Sequence, residues 1–288
     1  MSIFSKKYKL SPDWKFSQNG NLWKFIFAGK STIVGETRDI EKKLLYFFCL
    51  DAATGKQHLR NFLFEDGNYW ISTEGANENT LFVSRFQSPE LPYPKNIIAL
   101  DLKTGKKLWE NEDYVFHFCT DEKIYGIRTS GGKISYAEID RADGSARILN
   151  DAETSELSGM KAKSDADLYT EYYDYPKPNS AYPAGSAEEN IFSAETSGKI
   201  QAGEIEYITA GNLLLFNYYH ESGPVPGTDR RVYKNVFCIY DSEKEEKLFE
   251  DVLNENSNYS VPDNFFMKDG RVYYLKGRNE LLSINPGK

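Results

Sequence analysis

A thirteen-residue cassette, IIALDLKTGKKLW from Ile97 to Trp109, sets the strongest limit on the fold, because weaker copies of it recur along the chain. FFCLDAATGKQHL, from Phe47 to Leu59, is a clear second copy. AEIDRADGSARIL (Ala137 to Leu149) and FCIYDSEKEEKLF (Phe237 to Phe249) keep the same plan of apolar strand, acid, short polar turn, basic residue and apolar strand. The sequence ends on LLSINPGK, directly after another such turn. A recurring unit of this size specifies a repetitive architecture more firmly than any single motif does.

Spacing turns the copies into a count. Asp51 to Asp101 is 50 residues, Asp101 to Asp140 is 39, and Asp140 to Asp241 is 101, about two periods. The long interval predicts a concealed copy, and NIFSAETSGKI at Asn190 to Ile200 fills it with Ala194 in the acidic slot. Asn285 takes that slot in the last copy, 44 residues after Asp241, so six cassettes span 288 residues. Between Trp70 and Trp109 the apolar runs YWIST, TLFVSRF, NIIALDL and KKLWE alternate with turn segments, which reads as four strands per unit. Only Asp151 to Lys163 shows a helical period.

The expectation is an all-β chain: a single β-propeller domain over residues 1–288 with six four-stranded blades, seven being the alternative, and an irregular insertion at 151–189. In the turns, Gly55, Gly105, Gly144 and Gly198 stand where a tight connection needs positive φ, and the preceding polar residues can bond the turn's own amides. The last unit lacks its final strand, and PDWKFS (Pro12 to Ser17) resembles the KLWENE and KLFEDV segments that follow the turn elsewhere. Residues 12–18 are therefore expected to complete the last blade, with NLWKFIF from Asn21 beginning the first.

Composition narrows the partners. With 35 basic and 43 acidic residues the net charge is −8, which disfavours nucleic acid or an anionic membrane as the main partner. Cys49, Cys119 and Cys238 form neither a Cys-x-x-Cys spacing nor an even disulfide set, and each sits in an apolar run, so they read as buried thiols with no metal site. No run is long and apolar enough for a membrane helix, and MSIFSKKYKLSPDWKF lacks the apolar stretch of a leader. A cytoplasmic monomer is the expectation.

The ALD-x-x-TGK-x-LW signature resembles the repeat of pyrroloquinoline-quinone-type (PQQ-like) propellers, closely at Ile97 to Trp109, fairly well at Phe47 to Leu59 and loosely elsewhere. The whole chain also resembles a poorly characterised bacterial family of intracellular PQQ-like propellers, described as a domain of unknown function. The resemblance implies a propeller fold, and in this broad group often a binding scaffold alone. It carries no quinone chemistry onto this sequence, which has no adjacent cysteine pair and no D-x-D-x-[DN]-G calcium loop, so no cofactor is expected. H-E-x-x-H, G-x-S-x-G and S-x-D-x-G-x-x-W are likewise missing, and Gly29-Lys30-Ser31 lacks the upstream glycine of a phosphate loop.

Two stretches interrupt the repeat, and function is expected there. DLYTEYYDYPKPNSAYPAGSAEE (Asp167 to Glu189) offers Tyr172, Tyr173 and Tyr175 as a ligand-binding surface for a peptide or sugar. YYHESGPVPGTDRR (Tyr218 to Arg231) reads as a long hairpin loop carrying His220, Glu221, Asp229, Arg230 and Arg231. The favoured reading is a non-enzymatic binding or scaffolding propeller whose ligand is a protein or peptide, held by the tyrosines with Arg230 and Arg231. The alternative is a hydrolase or lyase at the channel mouth, with His220 and Glu221 or Asp229 in acid–base roles.

Overall fold

Four of the cassettes fold as tight connections between the last two strands of antiparallel sheets, and their chemistry is local. In the computed structural model, which describes residues 8–120, 122–169, 173–182, 185–224 and 231–287, the Asp101 carboxylate accepts from the Thr104 amide and hydroxyl, each at 2.7 Å. Asp51 repeats the pattern with Thr54 at 2.7 and 2.6 Å. In both turns the glycine amide donates to the aspartate carbonyl at 2.8 Å, with Gly55 and Gly105 at positive φ. Two of these glycines also admit a ring from the preceding sheet: a side chain at Gly105 would run into Phe62, and one at Gly144 would meet Trp109 at 2.5 Å. Trp109 fixes that contact by donating its Nε1–H to the Arg141 carbonyl at 2.9 Å. The cassette is thus both a turn and a docking point for its neighbour.

The Thr104 hydroxyl and amide hold the Asp101 carboxyl below its ordinary value of 3.8. A depressed carboxyl adds stability above its unfolded value and loses it as pH falls through the folded one. Asp101→Ala should cost about 1–2 kcal/mol at neutral pH, read from the urea midpoint, and the gap from the parent should close in acid.

Along the chain, β1 (Trp14–Ser17) comes first and joins the last sheet. Sheet I is a meander of β2 (Asn21–Ala28), β3 (Thr32–Asp39), β4 (Leu44–Asp51) and β5 (Gln57–Phe62). Sheet II contains β6 (Ile71–Ala76), β7 (Thr80–Ser88), β8 (Leu91–Pro94), β9 (Ile97–Asp101) and β10 (Lys107–Asn111), ordered β10-β9-β7-β6 with β8 folded back on β7. Sheet III is β11 (Val115–Cys119), β12 (Ile124–Ser130), β13 (Lys133–Ile139) and β14 (Ala146–Ile148).

Helix α1 (Asp151–Tyr169), the short strands β15 (Tyr173–Asp174) and β16 (Lys177–Pro178), and helix α2 (Ala187–Thr196) follow. Sheet IV runs β16-β17-β18-β19-β20, with β17 (Gln201–Ala210), β18 (Leu213–Pro224), β19 (Arg231–Asp241) and β20 (Glu246–Ser257). Sheet V consists of β21 (Phe265–Lys268), β22 (Arg271–Lys276) and β23 (Glu280–Ile284), with β15 beside β21 and β1 beside β23. The segment read as a missing final strand therefore does lie at the edge of the last sheet.

Two corrections follow. The described residues form five sheets where six blades were expected, and sheets II, IV and V each carry a fifth strand. The concealed cassette at Asn190 to Ile200 is mostly helix α2. Ser186 caps that helix by accepting from the Glu189 amide at 3.1 Å, while Ile191 and Phe192 are buried. The Ser-x-x-Glu spacing of a capping box thus outweighs a turn-like Thr-Ser-Gly-Lys downstream. The 101-residue interval is long because α1 and α2 occupy it, not because it holds another sheet.

The chain divides into two compact units, residues 17–171 and residues 1–16 with 172–288. In the first, apolar faces of sheets I and II interlock through Phe47, Ile71, Val83 and Ile98. Sheets II and III meet through Phe82, Trp109, Tyr114 and Ile139, and α1 covers the other face of sheet III with Leu157 and Met160 against Phe118 and Tyr125. In the second unit, sheets IV and V pack through Phe237, Phe249, Phe265 and Tyr274. There α2 covers the remaining face of sheet IV with Ile191 and Phe192. Each helix replaces a neighbouring sheet as the cover of an apolar face.

Candidate functional site

The residues singled out from the sequence separate into two places. Tyr172, Asp229 and Arg230 lie outside the described residues. His220 and Glu221 are not on a loop: β18 and β19 stay paired out to Pro224 and Arg231. His220 Nδ1 lies 3.2 Å from the Glu221 carbonyl, and its ring is 5.9 Å from that of Tyr218. The Glu221 carboxylate is held by Arg231 at 2.8 Å, so it serves an exposed cross-strand ion pair. Tyr173 and Tyr175 lie on the edge of sheet V, stacked at 5.6 Å and packed on Phe266. The Lys268 ammonium lies 4.5 Å over the Tyr173 ring. These tyrosines cover a sheet and do not join His220.

A cavity of about 380 Å³ lies elsewhere, within residues 17–171. Strands β2, β6 and β11 are the first strands of sheets I, II and III, and β6 packs against both of the others. Their residues Ile26, Glu74, Gly75, Phe116, His117, Phe118 and Cys119 line the space, with Lys161 and Asp165 of α1 closing it. An adjoining cavity of about 420 Å³ shares His117, Lys161 and Asp165 and extends along α1 to Tyr136 and Leu157.

Local sequence explains why these groups converge. In α1, Leu157, Met160 and Ser164 recur at helical spacing toward sheet III, and the buried Ser164 hydroxyl donates to the Cys119 carbonyl at 2.6 Å. That face orientation brings Lys161 and Asp165, one turn apart and paired at 2.6 Å, to the cavity. On β6, alternation sends Thr73 into the core and Glu74 to the cavity side. Phe116 fits because Gly75 opposite it has no side chain, and its ring stacks on Phe82 at 5.5 Å.

The electrostatics follow from burial. Desolvation raises the Glu74 carboxyl above its ordinary range, opposed by the Ser72 hydroxyl, which donates to Oε1 at 2.7 Å, and by Lys24, while Glu36 adds to the rise. Desolvation lowers His117, Lys161 lowers it further, and Asp165 opposes both. The imidazole packs between Phe118 and Tyr136, with ring centres 5.3 and 5.5 Å away. The site thus presents an imidazole whose charged form is disfavoured, a carboxyl that resists ionisation, a self-neutralised Lys–Asp pair and two phenyl side chains.

Sequence reading singled out none of Glu74, His117, Lys161 and Asp165. The usable signals were a lone acid within the strand segment ISTEGA and a Lys–Asp pair one turn apart at the end of the helical period.

For metal-binding groups, one trio among the described residues brings ligand atoms within 4.8 Å of one another: Glu195, Cys238 and Glu250. The Lys247 ammonium bonds both carboxylates at 2.5 Å and neutralises them. The Tyr240 hydroxyl donates to Glu195, and burial raises the Cys238 thiol well above its ordinary value. This is an ion-pair network centred on a lysine.

A model of a family described as a domain of unknown function (DUF4905) matches residues 27–109, covering most of sheets I and II and the two best cassettes. No curated protein matches the chain. Among solved structures, the uncharacterized protein lmo1340 from Listeria monocytogenes EGD-e is 10% identical with a TM-score of 0.35, over 88% of this chain and 92% of that one. TolB from Acinetobacter baumannii is 12% identical with a TM-score of 0.29, over 89% of this chain and 64% of that one. The WD40 domain of SCAP from fission yeast is 12% identical with a TM-score of 0.24, over 95% of this chain and 62% of that one. The chain thus spans less than two thirds of the latter two. All three likenesses are distant, and the functional reading rests on the chain's own geometry.

Proposed function

We propose that this chain is a non-enzymatic binding protein on a propeller scaffold of five blades, with its ligand site in the cavity between β2, β6, β11 and α1. The scaffold reading draws on the sequential strand order of the sheets, on the shared Asp-to-Lys turn and on the seat of β1 beside β23. It also draws on the resemblance of the two strongest cassettes to the PQQ-like repeat. The binding reading is carried by one observation: an inserted helix closes a cavity lined with rings and mixed polar groups over the first strands of three successive sheets. A cavity of about 380 Å³ has room for one side chain of a peptide or protein ligand, or for a free molecule of that size, and not for a folded surface.

A thermal-shift screen of amino acids, amines, sugars, nucleotides and short peptides tests this, repeated on His117→Ala and Phe116→Leu. A ligand at a hundredfold excess over its Kd should stabilise the parent by about 2.7 kcal/mol, and either substitution should reduce that gain. Hits that stabilise both variants as fully as the parent would place binding elsewhere and overturn the assignment.

A further inference from the structure

We propose that the cavity takes an organic cation of side-chain size, an alkylammonium or guanidinium group, with Glu74 as its counter-ion. This rests on the reading of the cavity as the ligand site. Lys161 and Asp165 of α1 neutralise each other at 2.6 Å. The β2 strand contributes only Ile26 to the lining, and β11 contributes His117 and the Cys119 thiol beside its rings. Behind the wall, the Glu36 carboxylate of β3 is bound by Arg38 and by the Thr73 amide at 2.8 Å. The nearby Lys24 ammonium donates to the Thr73 carbonyl at 2.6 Å. Among the described residues Glu74 receives only the neutral Ser72 hydroxyl at 2.7 Å, and is therefore the cavity carboxyl without a described cation in direct contact.

The other walls suit the same ligand. Phe116 and Phe118 line the space, and aromatic rings are favourable neighbours of a desolvated cation. Burial and Lys161 favour the neutral form of His117, in which one imidazole nitrogen can accept from an N–H donor. An anion is served poorly, because it would have to displace Asp165 from Lys161 while facing Glu74. A net charge of −8 favours approach of cationic segments.

Binding carries a proton balance. Where Glu74 is protonated in the free protein, the entering cation replaces that proton, which leaves to solvent, and an ammonium–carboxylate pair forms. Burial raises the Glu74 carboxyl in the free protein, and the cation favours its charged form, so affinity should rise with pH. The Lys161–Asp165 pair and His117 also face the ligand, and His117 titrates as well, so Glu74→Gln isolates the share belonging to Glu74.

The test is isothermal titration calorimetry of the full chain with agmatine, n-butylammonium and butyrate at pH 5.5 and pH 8, on the parent and Glu74→Gln. The cations should bind saturably, more tightly at the higher pH, and butyrate should not. Glu74→Gln should weaken agmatine by about tenfold or more, as expected for loss of a charged hydrogen bond. Its melting temperature should match or exceed the parent's, which separates lost binding from lost folding. Equal cation binding by parent and variant would overturn the counter-ion role. Butyrate binding that Lys161→Ala abolishes would leave the cavity a ligand site and refute its cation preference. No binding by any probe would refute the cation inference, leaving the wider screen to decide the cavity reading.

Discussion

Replacing Arg38 with methionine should destabilise the protein by about 3–5 kcal/mol. Arg38 and Glu36 are 4% and 1% exposed, so the pair is withdrawn from water. Arg38 Nε and Nη2 donate to the same Glu36 oxygen at 3.0 and 2.8 Å. Its Nη1 and Nη2 also donate to the carbonyls of Tyr69 and Ile71, at 2.8 and 2.6 Å. The second Glu36 oxygen accepts from the Thr73 amide at 2.8 Å, and the guanidinium lies 5.0 Å from the Tyr69 ring centre and 5.5 Å from that of Trp23. Two side chains of β3 thus satisfy main-chain groups of Tyr69 and, on β6, of Ile71 and Thr73, where among the described residues no strand is paired to that edge of the next sheet. Arg38→Met strands a buried carboxylate and orphans two carbonyls at once.

A Glu36→Leu, Arg38→Met double variant sharpens the test. Where a buried ion pair bonds only to itself, apolar replacement of both partners is often neutral. Here it removes the stranded charge but leaves three main-chain groups buried, each costing about 1–3 kcal/mol, so the double variant should remain well below the parent. Urea denaturation followed by tryptophan fluorescence reads both. An Arg38→Met loss under about 1 kcal/mol, small beside the range for a broken buried pair, would show that β6 is held by packing alone.

The elements legible in the sequence are those whose geometry is made within a few residues. The turns at Asp51, Asp101 and Asp140 are visible because the acid, its hydrogen-bond partners and the glycine lie within five positions. The same holds for the 151–163 helical period, which extends to Tyr169 in α1. The reading failed at Asn190 to Ile200 because Thr196 to Lys199 imitates a turn, while the deciding signals, the Ser186 cap and the buried Ile191–Phe192 pair, lie outside the template. The cavity was not legible because Glu74, His117 and Lys161 meet only once β6 lies beside β11 and α1 folds back over sheet III. Such pairing of distant strands leaves no mark on local periodicity. Breaks in the repeat drew attention to residues 151–189, and within them to the tyrosines and not to the helix α1.

Removal of residues 1–18 should cost more stability than any single core substitution, and Phe16→Ala alone should cost about 3–5 kcal/mol. Phe16 is fully buried and Trp14, two residues earlier on the same face of β1, is 7% exposed with its ring 6.1 Å from Tyr273. Asp13 adds polar anchors: its amide donates to the Ser283 carbonyl at 2.8 Å, and its carboxylate accepts from Arg271 at 2.7 Å and from the Asn285 amide at 2.8 Å. Lys15, on the opposite face, pairs with Glu280. Deleting the segment uncovers β23 as a raw sheet edge beside its apolar residues Leu281, Leu282 and Ile284, a template for association between chains. The truncated protein should therefore melt lower and aggregate. A synthetic peptide of residues 8–18 should reverse both changes by adding the strand back to the sheet, whereas a peptide with Trp14 and Phe16 replaced by alanine should not. A truncated chain that melts with the parent would mean that β1 rests on the last sheet without supporting it.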